Sequence, residues 1–160
     1  MEAALRTVYA VLEGKELENI DITDVRGVED GIKEATVKVK GMDVNVAVVH
    51  GGVNIKEMMK KIASGEKQYH FVEFMGCTGG CVNGGGQPVV EAKVQDSVDV
   101  RAERAKALYT IDKDAKLRVS HENPCVKALY AEFLKEPNGH LSHKLLHTGY
   151  EKKSMYNVKE

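Results

Sequence analysis

The chain has 160 residues, 42% hydrophobic and 29% charged, with 23 Lys and Arg against 24 Asp and Glu for a formal net charge of -1. That composition suffices for one domain-sized core, and its even charge disfavours nucleic acid or an anionic membrane as a partner. Three cysteines are too few for a disulfide framework, and no apolar run reaches membrane-spanning length. The start Met1-Glu2-Ala3-Ala4-Leu5-Arg6 has neither the basic region nor the apolar run of a secretory signal, so a cytoplasmic, reducing compartment is expected.

Ala4, Leu5, Val8 and Leu12 share one face of an opening helix that Gly14 ends, with Glu2 against its positive end. Residues 19–31, rich in Asp and broken by Gly27 and Gly31, read as a connection. Val37 and Val39 alternate with Lys38 and Lys40 in an edge strand. Gly41-Met42-Asp43 then turns into Val44 through Val49, apolar on both sides from Val46 as in a strand covered on both faces. Ile55, Met58, Met59 and Ile62 form the stripe of a helix ended by Gly65, and Tyr69 through Phe74 form a third strand. Strand, helix and strand make a crossover unit.

After Pro88 the pattern turns helical: Val98, Ala102, Ala105, Leu108 and Tyr109 predict one helix, Pro124 starts another through Leu134, and Leu141, Leu145 and Leu146 mark a last one. The predicted fold is α/β. It is a single lobe with a mostly parallel sheet flanked by helices, one or more antiparallel strands at its margin, and a C-terminal helical extension that wraps around the sheet or a partner.

The chemistry is concentrated in Glu73-Phe74-Met75-Gly76-Cys77-Thr78-Gly79-Gly80-Cys81-Val82-Asn83-Gly84-Gly85-Gly86-Gln87-Pro88, at the end of the third strand, where open α/β sheets place ligands. On a helix Cys77 and Cys81 would share one face and bring both sulfurs to one ligand. The glycines at 76, 79, 80, 84, 85 and 86 would each cost about 1 kcal/mol there relative to alanine, a cost that close approach of backbone to an inorganic cluster can offset. Two soft thiolates among glycines therefore read as half of an iron-sulfur site that draws its other ligands from elsewhere. The spacing also suits two small buried cysteines in a tight turn. A thiol-disulfide pair normally has two intervening residues, and a zinc site would need further ligands, with His70 the nearest imidazole in sequence.

The segment from Met75 to Pro88 resembles the third active-site segment of the iron-only (di-iron) hydrogenases. Glu2-Ala3-Ala4-Leu5-Arg6-Thr7, Val25-Arg26-Gly27, Gly31-Ile32-Lys33-Glu34-Ala35 and Val46-Ala47-Val48-Val49-His50-Gly51 are similar to the stretch that precedes it in the large subunit. Arg118 through Pro124, Leu129 through Leu134 and His140 through Tyr150 resemble the small-subunit region. The resemblance implies a second catalytic lobe over 1–95, a small-subunit-like helical extension over 96–150 and a solvated tail over 151–160. It further implies that the chain begins partway through the catalytic domain.

By the same resemblance, Cys77 ligates a 4Fe-4S cluster, and Cys81 ligates that cluster and bridges it to a di-iron subcluster where protons are reversibly reduced to H2. Met75 packs beside the di-iron unit; without the resemblance it reads as core packing at a strand end. The two earlier cysteine-bearing segments of the family do not occur in this sequence, so the remaining ligands are expected from an N-terminal lobe, with ferredoxin or a nicotinamide-linked protein as electron partner. A chain of this kind is expected to be inactive in isolation. The alternative is a non-catalytic, hydrogenase-like iron-sulfur or scaffold protein acting in cluster assembly.

Outside the motif the expectations are structural. Cys125 reads as a buried structural cysteine, and Asn123 before Pro124 as a helix N-cap, with His121-Glu122 beside it locking the tail. His121, His140, His143 and His147 lie in helical tail motifs, where His143 and His147 are four apart. Lys56, Lys60 and Lys61 read as a solvated helix face rather than a ferredoxin-docking face.

Overall fold

A computed structural model describes residues 1–152 of the chain. Helix α1 (Glu2–Glu13) closes at Gly14, whose φ of 70° is the left-handed conformation that ends helices. Its Leu5 packs against Val25, Ala35, Val46 and Val48, so α1 covers one face of the sheet. The Glu2 carboxylate accepts the Ile22 N–H at 2.9 Å and Arg26 Nε at 2.8 Å, pinning the connection that follows α1.

Strands β1 (Ile32–Val39) and β2 (Met42–His50) are joined by Lys40 and Gly41, both at positive φ, as a two-residue hairpin turn requires. β1 pairs antiparallel with β2, from Ile32 opposite Val49 to Val39 opposite Met42. β2 pairs parallel with β3 (Phe71–Met75), from Val46 opposite Phe71 to His50 opposite Met75, through the crossover helix α2 (Gly52–Ser64). The strand order is β1-β2-β3, which leaves β1 at an edge as expected.

This topology corrects the expectation of a mostly parallel sheet: the sheet is mixed, with one antiparallel and one parallel pairing. Among the described residues one crossover helix separates strands, and one crossover yields one parallel pair, whereas a tight turn can only reverse the chain. The antiparallel ladder has eight register pairs against five in the parallel one, so it is the larger share of the sheet.

Central β2 carries the core. Val46, Ala47, Val48 and Val49 are all buried, with Val46 and Val48 facing α1 while Ala47 and Val49 meet Met58 of α2. After the short helix α3 (Ala92–Gln95), helix α4 (Val100–Asp114) starts on Asp99, whose carboxylate accepts the N–H groups of Arg101 and Ala102. Ala105 of α4 packs with Val28 and Val82. Buried Arg6 donates to both carboxylate oxygens of Asp112 at 2.9 and 3.1 Å and to the carbonyls of Ile20 and Arg118, tying α1 to α4.

The chain divides into two compact units, Met1–Val119 and Ser120–Glu160. In the second, Asn123 caps helix α5 (Pro124–Ala128), its side chain accepting the Cys125 N–H at 2.9 Å with Pro124 in the first turn. The helix runs on into a π-type turn over Leu129–Leu134, and α6 (His140–Leu146) follows. The expected solvated tail lies outside the described residues from 153 onward. Among the described residues, no helix is long and apolar enough to cross a membrane.

Candidate metal centre

β3 delivers Met75 to the C-terminal edge of the sheet, where its carbonyl accepts the Gly51 N–H at 2.9 Å. The chain beyond it turns on itself: the Gly80 N–H reaches the Cys77 carbonyl at 2.9 Å, and Cys81–Asn83 forms a 3-10 turn. The Asn83 side-chain amide donates to the Thr78 carbonyl at 3.0 Å and closes the loop. Cys77 and Cys81 therefore sit on successive tight turns rather than on one helix face. Gly79 and Gly80, at φ 85° and 82°, adopt the left-handed backbone that makes these turns possible.

The glycine pair is buried while the cysteines on either side of it are exposed. Cys81 Sγ lies 3.8 Å from Met75 Sδ. A Cβ at Gly80 would stand 3.1 Å from that Met75 sulfur, and one at Gly84 would stand 4.0 Å from Cys77 Sγ. Missing side chains thus keep space open around the sulfurs. Cys81 and Met75 also line a hollow of about 310 Å³ with Val48, His50, Gly80 and Tyr109.

Helix α4 backs the loop from behind. Arg104 donates to the carbonyls of Val82 at 3.1 Å and Pro88 at 2.6 Å, and the Arg101 side chain packs over Gly79. Val82, directly after Cys81, is anchored among Val28 and Ala105. His50, 2% exposed, accepts the Gly79 N–H on Nδ1 at 2.9 Å. Sequence reasoning singled out none of His50, Arg101 and Arg104. His50 left a signal, since it closes a run of buried valines and alanine with an imidazole; the two arginines look like any exposed helix face.

The structure brings the sulfurs of Cys81 and Met75 together, with Cys77 one turn earlier in the same loop. Cys125 belongs to the second unit and is exposed, which corrects the expectation of a buried structural cysteine: it sits in the first turn of α5, beside the cap, where apolar packing is not required. His143 and His147 do meet, Nδ1 to Nδ1 at 3.2 Å with the rings edge to face, but both are exposed. Lys56 and Lys60 are exposed on α2 as expected, with Lys60 3.5 Å from Glu57.

Comparison with known proteins shows the family to which the chain is similar. A family model described as the iron only hydrogenase large subunit, C-terminal domain, matches residues 1–85, and one described as the iron hydrogenase small subunit matches residues 98–153. Iron hydrogenase 1 of Clostridium pasteurianum is 45% identical over 95% of this chain and 26% of its own length. A solved structure of an apo FeFe-hydrogenase variant from Chlamydomonas reinhardtii aligns with a TM-score of 0.72 at 37% identity, covering 94% of this chain and 43% of that one. A cytosolic Fe-S cluster assembly factor of Xenopus tropicalis is 30% identical over 85% of this chain and 25% of its own length. The chain spans about a quarter of the length of these curated relatives.

Proposed function

The chain belongs to the iron-only hydrogenase family, and we propose that it supplies two cysteine ligands of the active-site cluster for the reversible reduction of protons to H2. Cys77 and Cys81 would hold a 4Fe-4S cluster, with Cys81 the thiolate on the side of the di-iron unit. The donor set fits such a group: two exposed soft sulfurs, a neighbouring thioether, and glycines that keep bulk away from them. When bound, the group supplies the redox and hydrogen chemistry, and the protein holds, orients and encloses it.

The roles of the chain's own residues follow from their surroundings. Gly79 and Gly80 let the backbone turn without side chains between the two thiolates. Met75 presents an adaptable thioether to the hollow beside Cys81 and excludes water there. Val82 and the Arg104 hydrogen bonds brace the loop against α4, so the sulfurs are held by a rigid support. The remaining cluster ligands would come from the N-terminal lobe of the catalytic domain, and electrons from ferredoxin or a nicotinamide-linked protein. Three free thiols suit a reducing cytoplasm.

The single observation that carries this reading is the pair of exposed thiols flanking a buried diglycine turn, with the Met75 sulfur beside the second. Anaerobic reconstitution with iron and sulfide tests it, for residues 1–160 alone and together with the N-terminal lobe of the catalytic domain, for wild type, C77A and C81A. The expected result is a cubane in the assembled wild type that both variants lose, with H2 evolution once the di-iron unit is supplied. Equal cluster content in wild type and variants would sink it.

The second reading is a cluster-assembly scaffold, favoured by the similarity to the Xenopus tropicalis assembly factor. A complete assembly that takes up the cubane but refuses the di-iron unit would favour the scaffold.

A further inference from the structure

The C-terminal end of β2 grips the cysteine loop through one side chain. The Gly79 N–H, in the middle of the loop, donates to Nδ1 of His50 at 2.9 Å in a buried contact. A ring nitrogen that accepts carries no proton, so the neutral imidazole holds its proton on Nε2. Nε2 faces Lys33 Nζ at 3.3 Å, and Nζ in turn donates to the Asp30 carbonyl.

Burial lowers both Lys33 and His50 from their ordinary values, with the positive charge of Lys33 a further cause at His50. The contacts run from the Gly79 N–H through the ring to Lys33 and on to the Asp30 carbonyl.

The His50 backbone is fixed as firmly as its ring. Its N–H donates to the Gly31 carbonyl at 2.9 Å, and its carbonyl accepts Asn54 Nδ2 at 2.9 Å. Gly31 has no room for a Cβ against that Asn54 side chain. In register, His50 stands opposite Met75, so one rung of the sheet holds both the histidine and the start of the loop.

We propose that His50 is a positioning residue for the candidate metal centre: its Nδ1 seats the Gly79–Gly80 turn and so sets how Cys77 and Cys81 present their sulfurs, with Lys33 holding the ring from the far side. The consequence for the cluster rests on Cys77 and Cys81 being its ligands; the seating itself is a property of the chain without any metal.

The test compares H50N, H50Q and H50L with wild type in the full chain. Asn places a carbonyl oxygen where Nδ1 stands and keeps the acceptor. Gln keeps a polar side chain but carries its amide out toward Lys33, and it serves as the variant of record if H50L fails to fold. The readouts are amide exchange at Gly79, the ratio of alkylation rates of Cys77 and Cys81, and cluster uptake in the assembly.

Gly79 exchange is expected to accelerate about tenfold or more in H50Q and H50L and to return to within about threefold of wild type in H50N, while Met58 in α2 stays protected in all. The alkylation ratio and cluster uptake follow the same order. Equal Gly79 exchange and equal alkylation ratios in wild type, H50N and H50Q would overturn the proposal, as would an H50N that behaves like H50Q. If the exchange and alkylation order holds while the wild-type assembly takes up no cluster, the seating stands and the ligand reading falls.

Discussion

Cys81 Sγ and Met75 Sδ lie 3.8 Å apart, although the two residues are six positions apart in the chain. The positive φ of Gly79 and Gly80 brings the chain back over the end of β3 and makes that approach possible. Two sulfurs of different kind, one able to ligate as a thiolate and one a neutral thioether, thereby face the same hollow. Met75→Leu keeps the volume and removes the sulfur, so it is expected to change unfolding free energy by less than about 1.5 kcal/mol. Cubane uptake should survive in that variant and vanish in Cys81→Ser; iron content after desalting reads both.

Gly80→Ala combines two penalties, a left-handed backbone for a side-chain residue and a new Cβ 3.1 Å from Met75 Sδ. A loss of about 1–3 kcal/mol is expected from the backbone alone. Adding Met75→Ala should relieve the contact and leave the backbone cost. Urea unfolding of the single and double variants measures each part, and a Gly80→Ala chain as stable as wild type would count against the turn geometry.

Acid stability should be governed by the carboxylates that meet Arg6, Arg26 and Arg118. The Arg6 hydrogen bonds hold Asp112 well below the usual carboxylate range, and the Arg118 hydrogen bond lowers Asp21. Because these folded-state values are depressed, the unfolded chain takes up protons first as pH falls. The stabilisation is therefore complete above the ordinary value of 3.8 and is lost progressively below it. Asp112→Asn is expected to cost about 2 kcal/mol at neutral pH, between the limits for exposed and buried pairs. It should also flatten the acid limb of a stability profile, and an unchanged limb would show that these contacts do not set it.

Met58 is fully buried between α2 and the Ala47–Val49 face of β2. Met58→Ala should cost about 2–5 kcal/mol through lost burial and the cavity left behind. Differential scanning calorimetry of the chain reads it directly.

In the second unit, Asn123→Ala removes the acceptor of the Cys125 N–H and is expected to cost about 1 kcal/mol of local helix stability. Faster exchange of the first amides of α5, with unchanged exchange in β2, is the expected pattern.

What the sequence by itself determined is local. Gly14 and Gly65 end α1 and α2, Asn123-Pro124 starts α5, and the alternation from Val37 marks the last residues of β1, whose first five it did not reach, because each of these signals acts within one or two turns of chain. That two thiols flank a glycine turn was legible for the same reason, since Cys77, Cys81 and the glycines between them are neighbours in the chain. The family likeness added the domain to which residues 1–85 belong.

Only the tertiary structure decided the rest. The weight of antiparallel against parallel pairing depends on which strand edges meet, and that a cysteine in the first turn of α5 is exposed depends on which face of the helix is packed. His50 meets Gly79 across 29 residues and Arg6 meets Asp112 across 106, and no periodicity encodes such partners. They are selected when hydrophobic burial closes the chain and every buried donor must find an acceptor, a condition on the whole fold rather than on any stretch of residues.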